Sequence, residues 1–154
     1  MITGQAVAIV PASTDDVFRT VTDIAALPSW NTRMTRVVSQ PEVLRPGAEW
    51  VVEFHVLGRT WHSRSTLDEL DAAGGRFAYR SRTDDGNPSE AAWTWTVTDD
   101  PAGSRVDVRW ELRPVTFWRR VLLGRIRARQ LSRTEVPASL ASLHSLCARA
   151  TAAE

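Results

Sequence analysis

Between Glu49 and Leu67 the chain alternates apolar and polar residues with a period of two, and this constrains the fold more than any other feature. Trp50, Val52, Phe54 and Val56 share one side. Val51, Glu53 and His55 share the other. Alternation of this kind is the signature of a half-buried strand, because successive side chains point to opposite faces of a sheet. Gly58-Arg59 reads as a two-residue type II′ turn with glycine first. Closing the hairpin there sets Leu57 against Thr60, Val56 beside Trp61, Phe54 beside Ser63, Val52 beside Ser65 and Trp50 beside Leu67. Glu53 then faces Arg64, and His55 faces His62.

A second hairpin follows the same logic. Residues 89–99 place Trp93, Trp95 and Val97 on one face, and DPAG (100–103) turns the chain. Pairing Asp99 with Ser104 sets Val97 against Val106, Trp95 against Val108 and Trp93 against Trp110. Thr96 meets Asp107 and Thr94 meets Arg109 on the other side. Between the hairpins, Phe77 and Tyr79 begin a further strand after Gly74-Gly75, and TDDGNP (83–88) is a turn.

The two ends of the chain differ from this middle. Residues 2–10 are β-prone and stop at Pro11. Ser13 is placed to cap a helix, with Asp16 at the capping-box position, and Val17, Phe18, Val21 and Ile24 recur at helical spacing. Pro28 breaks or restarts that helix, and Trp30 ends it. From Val115 to Ala150 the pattern is helical again. Pro137 lies inside this run, so a kink or break is expected near Arg133. The expected architecture is therefore α+β, with 1–154 as a single domain. A curved antiparallel sheet of about seven strands wraps one long C-terminal helix, and two short helices follow the first strand. A cavity between sheet and helix is a common result of that arrangement.

Composition excludes several function classes. The 154 residues are 43% apolar and 24% charged, with net charge +1. The charge is uneven: residues 1–112 carry net −5 and residues 113–154 net +6. All 19 basic residues are Arg, which a coding bias explains. One cysteine, Cys147, permits neither an internal disulfide nor a thiolate zinc cluster. The N-terminus has no signal-peptide pattern and no run reaches membrane-spanning length, so a cytoplasmic location is expected. Phosphate loops, metal-ligand spacings and nucleophile elbows are absent, and no cofactor or metal is expected.

The order of elements and the stretch VPASTDDVFRTVTDIAALPSW together resemble the helix-grip superfamily, also called START-like or SRPBCC. The branch they resemble most is the polyketide cyclase/dehydrase-like proteins. The matching residues are Val10-Pro11-Ala12-Ser13, Val17-Phe18, Val21, Asp23, Pro28 and Trp30, with a similar terminal helix. The resemblance spans nearly the whole chain, and its motifs are structural rather than chemical. It implies an apolar cavity between sheet and helix. Members bind lipids, polyketides, hormones and other hydrophobic ligands, and some catalyse cyclisation or dehydration. Pro137 departs from the usual uninterrupted helix.

Given that cavity, the candidate lining residues are the inward aromatics Trp50, Phe54, Trp61, Phe77, Tyr79, Trp93, Trp95 and Trp110. The same rings serve equally well as core, since aromatic residues dominate cores by area alone. Ser63 and Ser65 are inward hydroxyls, as is Ser81. Trp118, Leu122 and Arg125 are candidates on the final helical run, with Arg125 turned inward to meet a ligand carboxylate. No register brings an acid and a base together on the inner face, so catalysis is not evident. The outward pair His55 and His62 is better read as solvated than as metal ligands.

The basic run Arg113–Arg133, interleaved with Trp118, Val121, Leu122 and Ile126, has the form of a basic amphipathic helix. A solvated outer face is the preferred reading of it, ahead of a membrane surface, and no nucleic-acid motif accompanies it. Three functions remain in order. The first is a binder of a small hydrophobic or aromatic ligand. The second is a polyketide cyclase or dehydratase. The third is a membrane-surface or partner-binding protein.

Overall fold

The computed structural model describes residues 2–84, 90–113 and 129–153, with side chains through 149. Its first element, β1 (Ile2–Val10), leads into α1 (Thr14–Thr22), a 3-10 turn (Ile24–Ala26) and α2 (Leu27–Trp30). Six strands follow: β2 (Met34–Ser39), β3 (Glu49–Val56), β4 (Arg59–Asp71), β5 (Arg76–Thr83), β6 (Glu90–Asp100) and β7 (Gly103–Arg113). A π-helical turn (Leu131–Glu135) then runs into α3 (Val136–Ala153). The strands form one antiparallel sheet in the order β1-β7-β6-β5-β4-β3-β2. Apart from β1 against β7, every pair consists of chain neighbours, as short turns require. This is the helix-grip architecture, a curved sheet around a long C-terminal helix.

Local chemistry accounts for the helical connection. The Ser13 hydroxyl accepts from the Asp16 N–H at 3.2 Å and caps α1. The Asp16 carboxylate pairs with Arg19 at 3.3 Å. Val17, Phe18 and Val21 turn into the core. Pro28 sits in the first turn of α2, where a missing N–H removes no helical bond. Trp30 then packs edge-on against Trp95 at 5.4 Å, which fixes α2 to β6.

The second hairpin has the expected register throughout, from Asp99 opposite Ser104 to Trp93 opposite Trp110. The first is displaced. Val56 pairs with Arg59, Phe54 with Trp61 and Trp50 with Ser65, so the turn residues are Leu57-Gly58, not Gly58-Arg59. Both have positive φ (51° and 75°), as a type I′ turn demands. Leu57 bears a steric penalty of about 1–2 kcal/mol in that conformation. The stacking of Phe54 on Trp61, 5.7 Å apart, offsets part of it by about 1 kcal/mol. Each partner moves by two residues, an even number, so every side chain keeps its expected face.

On the outer face the slip changes the partners. Glu53 meets His62 at 3.3 Å and Arg36 at 3.1 Å, while Arg64 pairs with Glu49 at 3.2 Å. His55 lies opposite Thr60, so the two histidines do not face each other.

The inner face is a grid of rings. Across the sheet run Tyr79, Trp93 and Trp110, with centroids 6.5 and 5.9 Å apart. The row ends at Gly4 on β1, opposite Trp110. A Cβ at Gly4 would overlap the Trp110 indole. Glycine is needed there for close approach.

Pro137 does not break the helix, and the irregularity expected near Arg133 is present as a π turn over Leu131–Glu135. The chain widens upstream of the proline. The Val136 N–H reaches back five residues to the Leu131 carbonyl, and the wide turn spans Arg133. A proline ring collides with the carbonyl four residues before it, which here is that of Arg133. The π turn accommodates the ring within a continuing helix. The rest of the helical run expected from Val115, through 128, lies outside the described residues, as do 85–88 of the turn expected at 83–88.

Two stability changes follow. Leu57→Asn should raise the free energy of unfolding by about 1 kcal/mol, read from the urea midpoint, because asparagine tolerates the left-handed region. Gly4→Ala should lower it by about 1–3 kcal/mol, because the added methyl displaces Trp110.

Candidate functional site

A cavity of about 870 Å³ lies between the concave sheet face and the helical elements. It falls where the grid of rings gives way to small side chains. Ser63 and Ser65 on β4, Ser81 on β5 and Ala91 on β6 all line it. Ser65 is opposite Ser81, which is in turn opposite Ala91. At the other end of the sheet, Val97, Val106 and Val108 are buried in one cluster with Leu140 and Leu143 of α3. Bulky inner side chains meet the helix directly, whereas small ones leave room.

Eight of the expected residues are brought together on this wall: Trp50, Phe54, Trp61, Ser63, Ser65, Tyr79, Trp93 and Trp95. Phe77 and Trp110, 1% and 2% exposed, belong instead to the packed core. Trp50 stacks on Phe77 at 6.0 Å, and Trp93 meets Trp110 at 5.9 Å with the rings tilted by 34°. Trp118, Leu122 and Arg125 lie outside the described residues.

The helical side supplies residues that strand alternation does not reveal. Leu27 and Asn31 come from α2 and its end, and Met34 from β2. Leu131, Glu135 and Ser139 come from the C-terminal helix, spaced four apart and therefore on one face. That spacing was visible in the sequence, where Glu135 is the first acid after the basic run Arg113–Arg133. Its side chain is 7% exposed, the one charged residue in the buried set among the described residues. The Asn31 side chain donates to the Leu27 carbonyl at 2.9 Å and closes α2. The Ser139 hydroxyl accepts from the Thr32 N–H at 3.5 Å, linking that corner to α3.

Charged side chains share the wall with the hydroxyls, Arg33, Arg59 and Glu135 among them. The Tyr79 hydroxyl is pushed up to about 12 by burial, and a hydrogen bond from the Trp95 side chain only partly opposes this. Such a phenol is a poor proton donor at neutral pH. At the mouth, Arg82 and Glu90 neutralise each other at 2.9 Å. Burial also pushes the Cys147 thiol up, away from reactive thiolate. Two buried indole donors, Trp30 Nε1 and Trp110 Nε1, have no hydrogen-bond partner among the described residues. No helix among the described residues is long and apolar enough to cross a membrane.

Comparison with known proteins places the chain. Residues 1–146 match the family model described as polyketide cyclase / dehydrase and lipid transport. No curated protein gives a sequence match. Among solved structures, the Chromobacterium violaceum protein CV1439 is 22% identical, with TM-score 0.74 over 94% of this chain and 96% of its own. A START superfamily protein from Mycobacterium smegmatis is 12% identical, with TM-score 0.75 over 96% and 98%. The di-domain ARO/CYC BexL of the BE-7585A biosynthetic pathway is 23% identical, with TM-score 0.73 over 94% of this chain and 46% of that one. At these identities the likeness is one of fold.

Tyr79 is the single tyrosine and the chain has no lysine, so its titration can be read directly. The folded protein holds the proton more tightly than the unfolded chain, whose phenol ionises near 10. Stability is therefore unaffected by this group below pH about 10 and falls as pH rises toward 12, by about 3 kcal/mol in all. Phenolate absorbance at 295 nm should accordingly stay absent until the pH approaches 12 or the protein unfolds. Ionisation of the folded protein near pH 10 would contradict the burial.

Proposed function

Because the chain belongs to the polyketide cyclase / dehydrase and lipid transport family, we propose that it holds one small, largely apolar, ring-bearing ligand between its sheet and its C-terminal helix. The observation that carries this reading is the cavity, large enough for a drug-sized molecule and walled by aromatic rings in stacked and edge-to-face contact. On the sheet side the cavity offers the neutral hydroxyls of Ser63, Ser65 and Ser81, while charged side chains, Arg33, Arg59 and Arg113 among them, also line it. The hydroxyls orient a ligand without charging it. The high proton affinity of Tyr79 also favours holding over proton transfer.

A cyclase or dehydratase activity is a second reading, favoured by one observation: the buried Glu135 carboxylate lines the same space. A carboxylate in an apolar wall is the group a proton-abstracting step would use. In that reading, Glu135→Gln abolishes turnover and leaves ligand affinity within about threefold, whereas a pure binder shows no turnover in either form.

The binding reading is tested with N-phenyl-1-naphthylamine, a neutral dye that brightens in apolar surroundings. Its emission should rise and saturate at one equivalent. Ala91→Phe, which adds a ring beside Ser81, should weaken the affinity by roughly tenfold or more while the urea midpoint stays close to that of the parent. An unchanged affinity in that variant, or no rise with the parent protein, rules out this cavity as the binding site.

A further inference from the structure

The three serines of the cavity wall form a patch within a surface of rings. Ser63 and Ser65 alternate along β4, and Ser65 lies directly across from Ser81 on β5. Ser63 is 7% exposed and Ser65 3%. Their hydroxyls are not among the buried polar atoms left without a partner, which among the described residues are Trp30 Nε1 and Trp110 Nε1. These three line an open space, with Trp50 across β3 from Ser65 and Tyr79 two residues before Ser81.

The spacing suits one kind of ligand atom. Opposed residues on neighbouring antiparallel strands hold their Cβ atoms about 4.5–5.5 Å apart. A carbonyl oxygen accepts along two lone pairs, so two hydroxyls each about 2.8 Å from it stand roughly 5 Å from one another. The opposed positions of Ser65 and Ser81 allow that geometry, and Ser63 stands one strand step away. The nearby Arg82 and Glu90 are paired with each other, as Arg113 is with Glu111, while Arg33 and Arg59 also line the cavity. Ring faces and edges border the patch, Phe54 and Trp61 stacked on each other (12°) at one side and Trp50 and Tyr79 edge-to-face (67°) at the other, which suits a ring-bearing ligand.

We propose that Ser65 and Ser81, flanked by Ser63, form a carbonyl-binding subsite that selects flat ring ketones over hydrocarbons of the same outline. The subsite rests on the cavity being the ligand site and adds which chemical class it prefers. Each serine donates its proton to the carbonyl oxygen, and the ring system lies between the aromatic side chains. The two lost hydroxyl bonds are what a hydrocarbon cannot replace.

The matched pair 9-fluorenone and fluorene differs by that one oxygen, and titration calorimetry on the full chain compares them. The parent protein should bind fluorenone about tenfold more tightly than fluorene. In Ser65→Ala/Ser81→Ala the ratio should fall to about one, with fluorene affinity retained, which also shows that the variant is folded. Ser81→Ala alone should give an intermediate ratio. Equal affinities in the parent, or a preference that survives the double substitution, overturn the subsite while leaving the cavity reading intact. If the parent binds neither compound, both fall together.

Discussion

One sheet face in this protein cannot be left wet, and that requirement organises the rest. From Trp50 to Trp110, alternate residues commit rings and branched side chains to the concave side. Burial of such a side chain is worth about 1.5–3 kcal/mol, so many of them together outweigh any local preference. The long helix α3, aided by α1 and α2, is what covers them. The convex face bears the opposite pattern, a lattice of Arg–carboxylate pairs such as Arg80 with Asp68 and Arg76 with Glu69. Exposed pairs of that type contribute little each. They keep the outer surface solvated and define which side is outside.

The cavity is a local exception within the same face. Where the inner positions are Val97, Val106 and Val108, sheet and helix close against each other. Where they are Ser63, Ser65, Ser81 and Ala91, the side chains are too short to span the gap. Shape and polarity therefore arise from the same residues: the substitutions that open the space are those that furnish its hydroxyls. On the opposite wall, the π turn that accommodates Pro137 ends at Glu135, and this carboxylate lines the cavity. A proline that threatened the helix is thus tied to the position of a buried carboxylate in the wall.

Much of this was readable in advance, and the misses are informative. The β6–β7 hairpin was legible residue by residue, because DPAG leaves only one turn that keeps both alternating faces aligned. The β3–β4 hairpin was not, because Gly58 satisfies either of two adjacent turns. Glycine at the second turn position won even though Leu57 had to adopt a positive φ. The inward list survived that error because a two-residue slip preserves parity. Among the inward rings, alternation could not rank depth. Trp95 and Trp110 are inner residues of adjacent strands, yet only Trp95 reaches the cavity wall. Glu135 escaped notice because a lone acid after a basic run looks like surface until its helix is docked.

By itself, then, the amino-acid order determined which side chains share a face, where most of the strands turn, and that one long helix must cover the concave side. Those properties follow from periodicity, which is local and repeats along the chain. Only the tertiary structure decided how far the helix stands from each part of the sheet, and hence which of the inward residues pack and which line open space. That distance depends on the summed volumes of side chains from β3 to β7 and from α3 at once, and no stretch of sequence contains that sum.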